Sequence, residues 1–326
     1  MIVINFQTSN TSNDIEKQLL RLTEDGEGGK GNCKFYFNKD LECYDYLVVF
    51  EELSKKIKIN IPKRNLIFIA GEATSIKSYS QKFMDQFGHI VTCQKKIKHK
   101  SKFLRSPGHS WFSQKTHNEL MNINSIKKTK LLSIVVSNKT LTKGHRKRLE
   151  FCLELKEKLG DKVDLFGRGF NDFEDKWDVI APYKYSIAIE NSIEDDWITE
   201  KLGDCYTSHT FPFYYGAPNV DAYYNPMSYE LIDITDFDGT LKRIQQILNN
   251  EKHYEKHLQY LIEAKCDYLN KHSMLPMICN VINKNIKIKE ATEDNLNELT
   301  IYPYKIGLFQ KTINKFIRHA KRLLNA

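Results

Sequence analysis

The sequence predicts an α/β protein of two Rossmann-like domains facing a central cleft, and three observations predict it. The chain has 326 residues, more than one ordinary core holds, since domains mostly run to about 100–200 residues. Its continuous apolar runs have strand length and lack the polar alternation of half-exposed strands, the pattern of a parallel sheet covered on both faces. Helical segments separate these runs one by one, as in sheets built from β-α-β units.

Ile2–Phe6 reads as the first strand, and Asp14–Leu22 as a helix entered through Ser12 or Asn13. Tyr46–Phe50 and Leu66–Ala70 are strands of the buried kind. Ile76, Tyr79, Phe83 and Phe87 recur at helical spacing and stop at Gly88, and His89–Cys93 follows as a further strand. An irregular basic and aromatic stretch, including Pro107–Phe112, closes the first domain near residue 128.

Leu131–Val136 opens a second series. A basic loop over Lys143–Arg148 leads into a helix over Arg148–Leu159 that ends at Gly160, and Val163–Gly167 is the next strand. Tyr185–Ile189, Phe211–Tyr215 and Tyr229–Ile234 continue the sheet, and helices are predicted over Gly239–Leu248 and Tyr254–Leu269. The predicted units are therefore 1–128, 129–300 and a tail over 301–326.

Apolar residues at 41% and charged residues at 28% fit a chain that folds throughout. Seven cysteines, an odd number without a CxxC pair, argue against a disulfide framework and a zinc site. No run of about 18 uncharged apolar residues is present and the start lacks a secretory pattern, so a cytoplasmic protein is expected. Of the net charge of +8, six charges lie from Lys305 onward, where no acid occurs. Phe309, Ile313, Phe316, Ile317, Ala320 and Leu324 share one helical face there. That pattern suits an anionic membrane surface, the inner face of the cytoplasmic membrane being expected, or a terminal helix docked on the protein itself. The Lys95–Arg105 cluster reads as a solvated face.

The most informative stretch runs Tyr183-Lys184-Tyr185-Ser186-Ile187-Ala188-Ile189-Glu190-Asn191-Ser192 and on to Trp197-Ile198-Thr199-Glu200-Lys201. A buried strand enters a polar turn, and a helix begins with Thr199 as its N-cap. Ligands of open α/β sheets bind at the carboxyl ends of strands. The free N–H groups of a helix start, with Lys201 in its first turn, favour a diphosphate. Glu200 and Asn191 suit sugar hydroxyls. The bland alternative is a capped, solvated loop.

This string resembles the signature of the family 10 α1,3/4-fucosyltransferases, bacterial type. Asp204-Cys205-Tyr206, Ser208-His209-Thr210, Tyr214-Tyr215-Gly216-Ala217-Pro218 and Asn225-Pro226 extend the resemblance, which is dense over about residues 183–226. It implies a GT-B architecture and inverting transfer of L-fucose from GDP-fucose. The acceptor it implies is a hydroxyl, O3 of a GlcNAc or Glc residue, on a surface or lipid-linked glycan. Glu190, Asn191, Ser192, Trp197, Thr199, Glu200 and Lys201 then belong to the donor site, with Asn138 nearby; separately, the Gly167-Arg168-Gly169 turn, which is not a dinucleotide fingerprint, puts Arg168 near the nucleotide. Arg148 corresponds to an arginine at a helix start that contacts the diphosphate, and Arg146 is its rival. Leu66–Ala70 followed by Gly71-Glu72 resembles the corner whose glutamate is the general base, although Ala73-Thr74 departs from the residues that usually follow. His109 and Trp111 are candidate acceptor contacts, or an aromatic core plug. No cofactor or essential metal is implied, divalent metal at most aiding product release, and no nucleic-acid partner is expected.

Three rivals stand beside this reading. A transferase of another GDP-sugar shares the same frame. A non-enzymatic basic binder of membrane or nucleic acid predicts salt-dependent binding and no transfer. A Rossmann oxidoreductase lacks its glycine fingerprint after every candidate strand.

Overall fold

The computed structural model describes residues 1–140, 142–286 and 299–304. The first lobe contains β1 (Ile2–Thr8), α1 (Asn13–Leu20), β2 (Gly29–Lys30), β3 (Cys33–Phe37), β4 (Tyr46–Phe50) and β5 (Ile57–Ile59), then β6 (Leu66–Ala70), α2 (Gln81–Met84), β7 (His89–Thr92), β8 (Lys102–Leu104) and α3 (His117–Asn122). The second contains β9 (Lys130–Val135), α4 (Lys143–Leu159), β10 (Val163–Phe166), α5 (Lys176–Ile180), β11 (Tyr183–Ile189), α6 (Glu200–Thr207) and β12 (Phe211–Tyr215), followed by β13 (Glu230–Leu231), α7 (Phe237–Leu248) and α8 (His253–Asp267). The chain closes with α9 (Met274–Asn285) and β14 (Leu299–Ile301).

The first sheet has the order β2-β3-β1-β4-β6-β7-β8 and is parallel except at β2. The apolar runs dictate this arrangement: Leu47, Val49, Leu66 and Phe68 bury one face against Phe83 and Phe87, while Ile4, Phe6, Val48, Ile67 and Ile69 bury the other. The second sheet, β10-β9-β11-β12-β13, is parallel throughout. In that order β9 lies between β10 and β11, so the connections leave it on opposite sides and a crevice opens at the carboxyl ends of β9 and β11.

Four sequence expectations change. The apolar repeat over 76–87 gives helix only at Gln81–Met84, and Ile76 is exposed. Side-chain bonds hold the chain before it in an irregular path: Tyr79 donates to Glu51, and Gln94 Nε2 donates to the Lys77 carbonyl at 3.0 Å. The basic loop over Lys143–Arg148 is helical, because Thr142 caps the His145 N–H and starts α4 there, which puts Arg148 in the second turn. The strand predicted over Tyr229–Ile234 reduces to Glu230–Leu231, paired with Phe213 and Tyr214. Finally, the unit predicted over 129–300 does not stay in the second lobe. Asn283 pairs with Asn32 at 3.0 Å, Cys279 Sγ meets the Lys30 carbonyl, and β14 pairs antiparallel with β5. The tail from residue 305 lies outside the described residues. Among the described residues no helix is long and apolar enough to cross a membrane.

Candidate active site

The crevice at β9 and β11 forms a cavity of about 960 Å³ lined from both lobes. Its second-lobe wall comes from strand ends and the helices after them: Val135 to Ser137 at the end of β9, Gly167 and Arg168 after β10, Asn191 after β11, then His145, Arg148, Glu200 and Lys201. Its first-lobe wall is one face of α1, with Asp14, Lys17 and Gln18 at helical spacing and Arg21 beyond them, together with Phe112 and Gln114 from the stretch before α3.

Glu190 organises the corner. Its side chain is 0% exposed, so leaving water has to be offset by partners. It accepts from the Thr199 N–H at 2.9 Å, from the Thr199 hydroxyl at 2.8 Å and from Lys201 Nζ at 3.0 Å. Lys201 also meets Glu200 at 3.1 Å. Burial works against the charged Lys201, but Glu190 and Glu200 outweigh it and hold the ammonium pKa above the ordinary lysine range. Opposite charges act likewise on Glu200: burial favours its neutral form, yet Lys201, Lys176 and His109 hold its carboxyl below the usual range. The corner therefore keeps a fixed cation facing the cavity.

Arg148 is buried and its Nη1 donates to the Asn191 side-chain carbonyl. Its Nε has no partner among the described residues. A Cβ at Gly144 would lie 2.2 Å from the Asn191 carbonyl oxygen, so only glycine lets the first turn of α4 approach the β11 corner. Arg146 points away, donating to the Thr140 carbonyl at 3.0 Å.

Several expected donor residues take another place. Glu190 and Thr199 support the corner from beneath and do not line the cavity, and the Thr199 hydroxyl does not cap α6 because Glu190 engages it. The Glu190 carboxylate thus occupies the positive helix end expected to meet phosphate, since it accepts the Thr199 N–H. Trp197 is buried with Ala73 and Cys93. Ser192 pairs with Ser75 across the lobes. The Asn138 amide packs against Gly169. Asn191, Glu200, Lys201, Arg148 and Arg168 do line the cavity. Lys176, bound to Asp204 at 2.6 Å, and the α1 side chains also line the cavity without being expected from the sequence. Lone lysines and an ordinary amphipathic helix carry no sequence signal of a site.

Glu72 stands outside the cavity's lining, at the lobe boundary. Its carbonyl accepts from Gln94 Nε2 at 2.8 Å, and no hydrogen bond to its carboxylate occurs among the described residues. Burial, then the charges of Glu51 and Glu200, push its carboxyl up to about 7 against the opposing pull of Lys77 and Lys201. The next residues clasp the second lobe: the Thr74 N–H donates to Glu194 at 2.9 Å, and Lys95 pairs with Asp195. His109 lies edge-on to Trp197 at 5.1 Å, and its Nε2 is buried without a partner among the described residues. Burial pushes its pKa down. Trp111 is a core plug: it is 1% exposed, donates Nε1 to the Lys115 carbonyl and packs on Tyr268, so it cannot contact an acceptor. Among the described residues no group of three or more His, Cys, Asp or Glu side chains is placed to hold a metal ion.

Comparison with known proteins gives this geometry its context. Helicobacter pylori "Alpha-(1,3)-fucosyltransferase FucT" is 33% identical over 102 residues, 31% of this chain and 21% of that protein. An Arabidopsis thaliana "Putative fucosyltransferase-like protein" is 29% identical over 122 residues, 36% of this chain and 24% of that one. These matches thus span less than a quarter of the relatives' own length. A crystal structure of an α1,3-fucosyltransferase superposes with a TM-score of 0.52 at 17% identity, covering 79% of this chain and 80% of its own. One with GDP-fucose gives 0.50 at 16%, covering 83% and 91%. At such identities the likeness is one of fold, and the two lobes here have the GT-B arrangement. The model described as "Glycosyltransferase family 10 (fucosyltransferase) C-term" matches residues 125–300, from before β9 to β14 and so across the whole Glu190–Lys201 corner. That match takes in more than half of the 326 residues, and the chain belongs to glycosyltransferase family 10.

Proposed function

We propose that the chain is an inverting fucosyltransferase that takes L-fucose from GDP-fucose and transfers it to a glycan hydroxyl. The observation that carries this reading is the pair of cations, Arg148 and Lys201, held against Asn191 and Glu200 at the carboxyl ends of β9 and β11. Two fixed positive groups beside neutral and acidic hydrogen-bonding groups suit a diphosphate joined to a sugar. Arg168 beyond β10 is a candidate contact for the nucleoside.

In this mechanism the acceptor O–H gives its proton to Glu72 while its oxygen forms a bond to the anomeric carbon. The bond from that carbon to the diphosphate oxygen breaks, and its electron pair leaves with GDP, whose charge Arg148 and Lys201 stabilise. His109, partly exposed beside Gly71, is the candidate acceptor contact.

Calorimetric titration with GDP, GDP-fucose and GDP-mannose tests the donor. Tighter binding of GDP-fucose is expected, and a preference for GDP-mannose would transfer the reading to another GDP-sugar. A pH profile tests the base. Only ionised Glu72 can accept a proton, so kcat/KM is expected to fall as pH drops below about 7. A rate flat from pH 8 to pH 5.5 would remove Glu72 from the mechanism.

A further inference from the structure

Beneath the Gly71–Glu72 corner lies a second glutamate that the mechanism above does not use. Glu51 follows β4 and has φ +65°, a left-handed backbone that side-chain-bearing residues seldom adopt without a constraint. Its N–H is held by the Ile69 carbonyl at 3.0 Å, which anchors it beside the end of β6. From there its half-buried carboxylate accepts from three donors on the loop that carries Glu72: the Gly71 N–H, the Tyr79 hydroxyl and, at 2.8 Å, Lys77 Nζ. Lys77 also reaches Glu52 at 2.7 Å. Glycine at 71 leaves room for this approach, since a Cβ there would lie 2.6 Å from the tip of the Phe50 ring and would push it aside. On the other side Gln94 Nε2 binds the carbonyls of Glu72 and Lys77 at 2.8 and 3.0 Å. The loop is thus gripped from two directions, and of the two gripping side chains only Glu51 carries a charge.

We propose that Glu51 is a positioning residue for transfer, fixing the Gly71–Glu72 corner through the Gly71 N–H and placing a negative charge behind the Glu72 carboxylate. The inference rests on the reading of Glu72 as the base. A carboxylate is an economical choice for this place, because one group satisfies three donors and also disfavours ionisation of its neighbour. The groups facing Glu72 are Glu51, with Glu52 behind it after β4, Lys77 and Tyr79 on its own loop, Cys93 after β7, and Glu200 and Lys201 across the cleft. His109 stands beside Gly71. After burial itself, Glu51 is the largest of the influences on Glu72.

The test is the pH-rate profile of Glu51→Gln, measured beside Glu72→Gln with GDP binding as a control. Glu51→Gln keeps acceptors for the Gly71 and Tyr79 donors but removes the charge. The acid limb of kcat/KM is therefore expected to move to lower pH, with kcat reduced about tenfold because the amide nitrogen cannot accept from Lys77 and the loop loses that tie, and GDP affinity unchanged. Glu51→Asp keeps the charge but falls short of the Gly71 N–H, so it should lower kcat and leave the limb in place. If Glu72→Gln keeps normal turnover, the base reading fails and this inference with it. If Glu72→Gln is inactive while Glu51→Gln shows a wild-type limb and kcat, the positioning role alone is overturned. Should Glu51→Gln fail to fold, Glu51→Asp decides: reduced kcat with an unmoved limb supports the role, and wild-type kcat refutes it.

Discussion

Glu72→Gln is expected to lower transfer by about 10²–10⁴-fold, the usual contribution of a positioned general base, while GDP binds as it does to the wild type. The two halves of this result have separate causes. The amide has the shape of the carboxyl group but cannot take the acceptor's proton, so the chemical step suffers. Glu72 does not line the cavity proposed for the diphosphate, so the ground-state affinity for GDP has no reason to change. Stability provides an independent reading. A carboxyl pushed up from 4.5 to about 7 makes the folded state hold a proton that the unfolded chain has released, so its contribution is lost as pH rises through that window. The wild type should therefore lose thermal stability between pH 5 and pH 8 relative to Glu72→Gln. Turnover assays, GDP titration and melting curves at the two pH values check all of this, and normal turnover in the variant would sink the base assignment.

Arg148→Ala and Lys201→Ala should both weaken GDP binding by about 10–100-fold, the loss of one charge-assisted contact. They should differ in what they do to the fold. Arg148 leans on a neutral amide, Asn191, so its removal leaves no charge stranded. Lys201 is the cation bound to the fully buried Glu190, and breaking such a pair by deleting one partner costs about 3–5 kcal/mol. Melting curves should show a deep loss for Lys201→Ala and a shallow one for Arg148→Ala. Wild-type GDP affinity in Arg148→Ala would refute the proposed diphosphate site.

The buried strands were legible because a parallel strand covered on both faces must be apolar along its length, as Tyr46–Phe50 and Leu66–Ala70 are. Short or edge elements escaped. β3 alternates buried and open positions with a lysine inside it, and β5 makes sense only beside β14, some 240 residues away in the chain. The start of α4 was hidden by Gly144, whose role is contact with the Asn191 carbonyl and not a break in the helix. In the site, Asn191, Glu200 and Lys201 follow from a polar turn and a helix start after a buried strand, and Arg148 from a family motif, but neither signal says which way a residue faces. Glu190 shows the difference: the motif makes it a donor contact, yet it is spent on Thr199 and Lys201 beneath the surface. Whether a polar group after a strand turns toward a ligand or inward depends on partners that the local sequence does not contain.

The return of the last elements to the first lobe makes that lobe discontinuous along the chain. Lys30, 5% exposed, reaches Asn270, and Cys279 covers the Lys30 carbonyl, so part of the lobe's interior is supplied by residues translated long after its sheet. During synthesis the first 128 residues leave the ribosome with an unfinished flank, and β5 waits with an open edge until β14 arrives. The first lobe is therefore no portable module: a fragment cut at the strand-free stretch before β9 would carry an unsealed seam, a place where other chains can pair.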